Sequence, residues 1–170
     1  MPNTAASTIL PAAHRTRGYA EAILKGIQPK DFAREPKGIH TNHPAWVFGH
    51  LSTYPDWMLQ IIGKPELAKP RDGFEALFAN KTESKDDPAG TIYPAMETIT
   101  AHYFERTDAI LKALAETDDA TLAQPNPSEG MKDRFPTVGS MINFMLGAHS
   151  MMHFGQISTW RRIMGLGSAM

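Results

Sequence analysis

The chain contains no cysteine. Disulfides, a cysteine nucleophile, thiolate metal ligands and iron–sulfur clusters are therefore excluded from its own chemistry. If sulfur chemistry takes place here, the sulfur arrives with a substrate. An excess of either charge is also missing: 17 Lys and Arg stand against 18 Asp and Glu, a formal net charge of −1. With no basic block, a nucleic-acid partner is not expected. Long apolar runs are absent as well; the longest candidate, Trp57 to Gly63, is interrupted by Gln60 and falls short of a membrane span. The opening MPNTAASTIL has neither a positive region nor an apolar one, so no export signal is read. A cytoplasmic, bacterial protein is the expectation. Internal repeats and low-complexity tracts are lacking, and so are segments alternating in the two-residue period of strands.

What is present is helical periodicity. At 170 residues, with 42% hydrophobic and 21% charged side chains, the chain reads as one globular domain over 1–170. A first helix is predicted from about Thr8 to Ile27, with Ile9, Ala13, Ala20, Ile23, Leu24 and Ile27 at helical spacing and Pro11 in the first turn. A second begins at Asn42-His43-Pro44, where Asn42 or His43 would cap and Pro44 would occupy the first turn. Its stripe is Trp46, Val47, His50, Leu51, Tyr54, Trp57, Met58 and Ile61, and Pro55 should kink it close to His50. From Lys64 to about Ile92 the composition turns to Gly, Pro, Lys and Asp. A connection this long has a purpose in a compact domain, the simplest being a crossover that lets the second and third helices run parallel. The third helix runs from Pro94 to about Glu116, and the fourth from about Thr137 to Met164 with Gly165 ending it. The fold class is all-α, a four-helix bundle.

Seven histidines (14, 40, 43, 50, 102, 149 and 153) supply the only borderline-soft metal donors. His149 and His153 lie four apart on the stripe of helix four, which also carries Ile142, Met145, Leu146, Gln156, Ile157 and Trp160. Alone, such a pair reads equally as packed core, as surface or as part of a metal site, and HSMMH lacks the glutamate of the HExxH pattern. His50, however, sits on the apolar stripe of helix two. Burying a polar ring without a partner costs about 2–7 kcal/mol, and three rings converging on one interior need a reason to be there. A shared ion supplies one, with three neutral nitrogens leaving positions open as catalytic sites do. Tyr54 and Gln156 face inward by phase and could orient a bound water or substrate, or serve as paired polar core residues. His40 and His43 are explained by capping or exposure, although they lie near the bundle mouth; His102 reads as a boundary residue and His14 as surface. The three tryptophans read as packing. The ten methionines fill gaps first and could line a pocket for an adaptable apolar ligand.

The run NHPAWVFGHL (42–51), followed by HSMMHFGQI (149–157), resembles the DinB-like family, also called the DinB/YfiT-like superfamily. Members show a tryptophan shortly before a GHL histidine in helix two and an HxxxHxGQI-like ending in helix four. The likeness extends over the whole chain in helix order and loop lengths. It implies an up-down-down-up bundle holding a divalent metal, zinc, nickel or iron, on His50, His149 and His153. Some relatives are S-transferases or isomerases using a low-molecular-weight thiol such as bacillithiol or mycothiol. Others form the helical iron-binding domain of sulfoxide synthases, whose second domain is not seen here. All three histidines are kept, unlike in mycothiol-dependent isomerases, where one ligand is an acid. The implied function is metal-dependent transfer of such a thiol to an electrophilic small molecule. A hydrolase using the same ion, or a non-catalytic metal- or ligand-binding module linked to stress or damage, are the alternatives. Relatives often pair as homodimers, and Phe74 and Phe78 in the long connection could serve that contact or cap the chain's own core.

Overall fold

The structure, a computed structural model, describes residues 4–169, and its regular elements are all helical. Among the described residues the only β-type pairing is an isolated bridge between Pro125 and Thr137. None of these helices is long and apolar enough to cross a membrane.

Helix α1 spans Thr4–Leu24 and buries Ile9, Ala13, Ala20 and Ile23 of the predicted stripe, together with Ala6 and Thr16, while Leu24 is half-buried. It starts a turn earlier than its own residues suggest because a distant carboxylate caps it. Asp119 accepts from the backbone N–H of Thr4 at 3.1 Å and of Ala5 at 2.9 Å, satisfying two donors of the open first turn.

The second predicted helix is divided in two, α2 (Pro44–Ser52) and α3 (Tyr54–Ile61). Pro55 lacks the N–H that would continue the ladder, so the helix stops and restarts at Thr53. Thr53 turns back on the break, its hydroxyl donating to the His50 carbonyl at 2.8 Å. At the other end of α2 the cap is His43, whose Nδ1 accepts from the Trp46 N–H at 3.2 Å.

The long connection contains a one-turn helix, α4 (Phe74–Phe78), entered through Gly73 at φ 78°. Phe74 and Phe78 are buried and packed edge to face, so they cap the chain's own core and are not free for a contact between copies. The connection is pinned from below by a buried ion pair. Arg106 of α5 (Met96–Ala115) meets Asp56 at 3.2 Å and donates to the Leu67 carbonyl at 2.8 Å.

A short α6 (Asp119–Leu122) leads to α7 (Val138–Phe144), which opens on a reciprocal capping box between Thr137 and Ser140. The predicted fourth helix is continuous in path but not in type. Met145–His149 forms a π turn between α7 and α8 (Ser150–Ile163), and the Ser150 hydroxyl donates to the Met145 carbonyl at 2.8 Å. Helices α1, α2 and α3 pack against α5, while α8 lies on α1 and α2. The core falls into two apolar clusters, one around Phe48, Tyr103, Phe154 and Trp160, the other around Leu59, Ile110, Leu114 and Ile142.

Candidate metal centre

His50 lies on the last turn of α2, His149 at the end of the π turn and His153 one turn into α8. The structure brings the three together. One nitrogen from each lies within 4.8 Å of the others, and the ring centroids are 4.8 to 5.6 Å apart. Among the described residues this is the one such group of histidine and carboxylate donors.

Each ring is held by something the helix alone does not supply. The Nδ1–H of His50 donates to the Phe78 carbonyl at 2.7 Å, leaving Nε2 unprotonated and free to accept. Trp46, one turn earlier, stacks on the same ring at 4.6 Å and is itself held by Thr82, which accepts from the indole N–H at 3.1 Å. His153 Nδ1–H donates to Gln156 Oε1 at 3.1 Å, so its Nε2 is likewise free. That oxygen also accepts from Asn42 Nδ2 at 3.1 Å, tying α8 to the loop before α2. His149 differs: its Nδ1 is buried and has no partner.

All three imidazoles are neutral at pH 7. Burial pushes His149 down to about 3, with the neighbouring His153 and His50 adding to the effect. Burial likewise lowers His50 to about 4, against the pull of the Phe78 carbonyl. His153 is lowered by burial and partly restored by Gln156. Neutral rings with outward lone pairs, a buried nitrogen without a partner and no carboxylate in the group make a donor set suited to a borderline divalent ion such as zinc, nickel or ferrous iron. The histidines fit the implied metal, and the carbonyl and amide behind two of them are the outer contacts that orient metal-binding imidazoles.

The other inward-facing residues also find their places. The Tyr54 hydroxyl donates to His50 Nε2 at 3.2 Å, and its ring meets His50 and His149 edge to face. Gln156 acts through His153 as described. The triad opens on a cavity of about 650 Å³ whose wall includes Trp57, Phe144, Met131, Met141, Met145 and Met152. Trp46 and Trp57 line it too, so two of the tryptophans read as packing face the cavity, while Trp160 is fully buried.

The remaining histidines are elsewhere. His43 is fully buried, capping α2 with one nitrogen and donating to the Lys85 carbonyl at 2.9 Å with the other. Exposed His40 lies 2.8 Å from Glu35, His102 is buried against Phe74, and His14 is exposed. The sequence reading missed the Phe78 carbonyl, Thr82 and Asn42. The first is a backbone atom with no residue signature, and the other two reach the site through loops with no periodicity.

A family model described as the DinB superfamily matches residues 12–157, from inside α1 to just beyond Gln156. No curated protein matches the chain.

Proposed function

Because the chain belongs to the DinB superfamily, we propose that it is a divalent-metal-dependent enzyme that transfers a low-molecular-weight thiol to an electrophilic small molecule. His50, His149 and His153 are assigned as the ligands, with zinc or nickel first among the ions and iron next. The observation that carries the reading is the meeting of three neutral imidazoles, from two separate helical stretches, at the wall of one open cavity. A divalent ion held there would supply positive charge that favours the deprotonated form of an incoming thiol at neutral pH.

The chain's own residues do the rest. The Phe78 carbonyl and Gln156 hold His50 and His153 in the tautomer that presents Nε2. Tyr54 offers a hydroxyl at the cavity wall, able to hydrogen-bond the nucleophile or the group it attacks. The methionine and aromatic wall excludes water from an apolar electrophile and adapts to its shape. No cysteine competes as an internal nucleophile. The same membership supports reading α2 with α3, and α7 with α8, as single kinked members of an up-down-down-up four-helix bundle.

The test begins with metal analysis of purified protein, expected to give one ion per chain and near-complete loss in His149→Ala. Stoichiometric metal in that variant would overturn the triad. Chelation should lower the melting temperature only slightly, as for an open site; complete unfolding would instead mark a structural ion and a non-catalytic module. A screen of small thiols against aryl and alkyl electrophiles should show thiol consumption that depends on the metal. Metal-dependent ester or amide cleavage with no thiol consumed would reassign the site to a hydrolase.

A further inference from the structure

The cavity beside the triad is uneven in charge. Among the described residues that line it, Glu75 is the only one carrying a formal charge at neutral pH, and no lysine or arginine joins it. Glu75 stands on α4 one turn before Ala79, which also lines the cavity, while Phe74 and Phe78 on the same short helix are buried in the core. Its carboxylate has no ion-pair partner among the described residues. Nor does it belong to the group of donors that could reach one ion with the histidines. Around it stand aromatic faces and methionine side chains, surfaces that favour a cation with an apolar body.

We propose that the small molecule accepted beside the triad is an amphipathic cation, its apolar body against Trp57, Phe144 and the methionines and its positively charged nitrogen directed to Glu75. The inference rests on the reading of this cavity as the substrate site. It makes Glu75 a specificity-determining residue that selects the charge of the substrate without touching the metal. No lysine or arginine of the lining offers an anion a partner, so Glu75 is the only side chain there whose charge distinguishes a cation from a neutral molecule.

The experiment uses zinc-loaded protein and three probes of similar size: benzyltrimethylammonium, benzyl alcohol and benzenesulfonate. Binding is read from the fluorescence of Trp46 and Trp57, which line the cavity. The effect of Glu75 is read as a change between variants, which cancels the charge of the zinc: relative to the alcohol, the ammonium should bind the unaltered protein about fivefold more tightly than it binds Glu75→Gln, the size expected of one partly exposed charge pair. The sulfonate should tighten in Glu75→Gln and tighten further in Glu75→Lys. An ammonium-to-alcohol ratio that is unchanged in Glu75→Gln overturns the proposal. Zinc content measured on the same samples reads out the triad separately. Protein that holds no zinc yet prefers the ammonium through Glu75 rejects the metal assignment and keeps this one; one zinc per chain without the preference does the reverse.

Discussion

Replacing Gly49 with alanine should damage the metal centre without touching a ligand. A Cβ at position 49 would lie 2.4 Å from Cδ1 and Cε1 of Phe78 and 2.6 Å from its Cγ. Carbon atoms in contact prefer about 3.5–4.0 Å, so the ring must retreat by roughly 1 Å or more. It has nowhere to go: Phe78 is fully buried, edge-on to Phe74 at 5.1 Å and stacked on Tyr93 at 5.7 Å. The displacement therefore passes to α4, and with it to the Phe78 carbonyl that holds His50 Nδ1 at 2.7 Å. Overpacking of this kind costs about 1–3 kcal/mol, offset by about 1 kcal/mol of helix propensity gained on replacing glycine. The net loss is at most about 2 kcal/mol, a fall in Tm of up to roughly 8 °C for a chain of this size. Weakening the contact behind a metal-binding histidine lowers metal affinity about 10- to 100-fold. Urea unfolding and competitive metal titration measure the two effects side by side. Adding Phe78→Leu, which removes the clashing ring atoms, should recover part of the stability, so the double variant is more stable than the sum of its parts. An unchanged melting temperature and metal affinity in Gly49→Ala, or strict additivity with Phe78→Leu, would refute the chain of contacts.

Gln156→Leu should leave the fold intact but weaken metal binding by about 10-fold or more, since it removes the acceptor that orients His153; equal affinity in a metal titration would show that the amide does nothing for the site. In the metal-free protein, His149 and His50 have folded pKa values of about 3 and about 4, below the unfolded value. Their stabilising contribution is complete above about pH 6.5 and is lost as pH falls toward those folded values, at no more than about 1.4 kcal/mol per unit for each ring. Urea melts between pH 7 and pH 4 should therefore show a steeper decline in the unaltered protein than in His149→Leu, and matching slopes would contradict the assignment. Breaking the Arg106–Asp56 pair by Asp56→Leu should destabilise by less than the about 3–5 kcal/mol of a fully uncompensated buried charge, because the guanidinium keeps Glu105 at 3.0 Å and the Leu67 carbonyl at 2.8 Å, whereas Asp56→Leu with Arg106→Met should restore most of the loss. Chemical denaturation of the three variants decides the point.

The parts of this molecule legible in the sequence are those written in side-chain period. The stripe of α1 predicted most of the residues it buries, although α2 is buried on every side, and the placement of His50, His149 and His153 on such stripes was enough to bring them together. Pro55 announced a break beside His50, and the break is there. What the sequence did not reveal are contacts across long separations and through backbone atoms. Asp119 starting α1 depends on how α6 packs beside it, while the Phe78 carbonyl behind His50 and the burial of Phe74 and Phe78 depend on how the long connection folds over the helices. That stretch has no dominant period because its residues answer to several neighbours in turn. His43 shows the same limit from the other side: its capping role could be read, but its complete burial under Lys85 could not.

The π turn explains why a helix carrying the cavity wall on one side can also carry two ligands there. Met141, Met145, His149 and His153 recur every four residues and all line the cavity. In an uninterrupted α-helix, four residues overshoot a full turn by about 40°, so three such steps would swing the column by about 120°, away from the cavity. The turn from Met145 to His149 is wider, at roughly 4.4 residues per turn, and a four-residue step there falls short of a full turn by about 30°. The one wide turn thus reduces the drift to about 50°, which keeps the methionine wall above the histidine pair. Ser150 supports this arrangement by bonding back five residues to Met145, the reach a π turn requires and an α turn does not offer. The unpaired Nδ1 of His149 lies at the end of that turn. The wide turn and the one imidazole with an unpartnered nitrogen therefore meet in the same residue, and of the three rings it is His149 that a bound ion would relieve most.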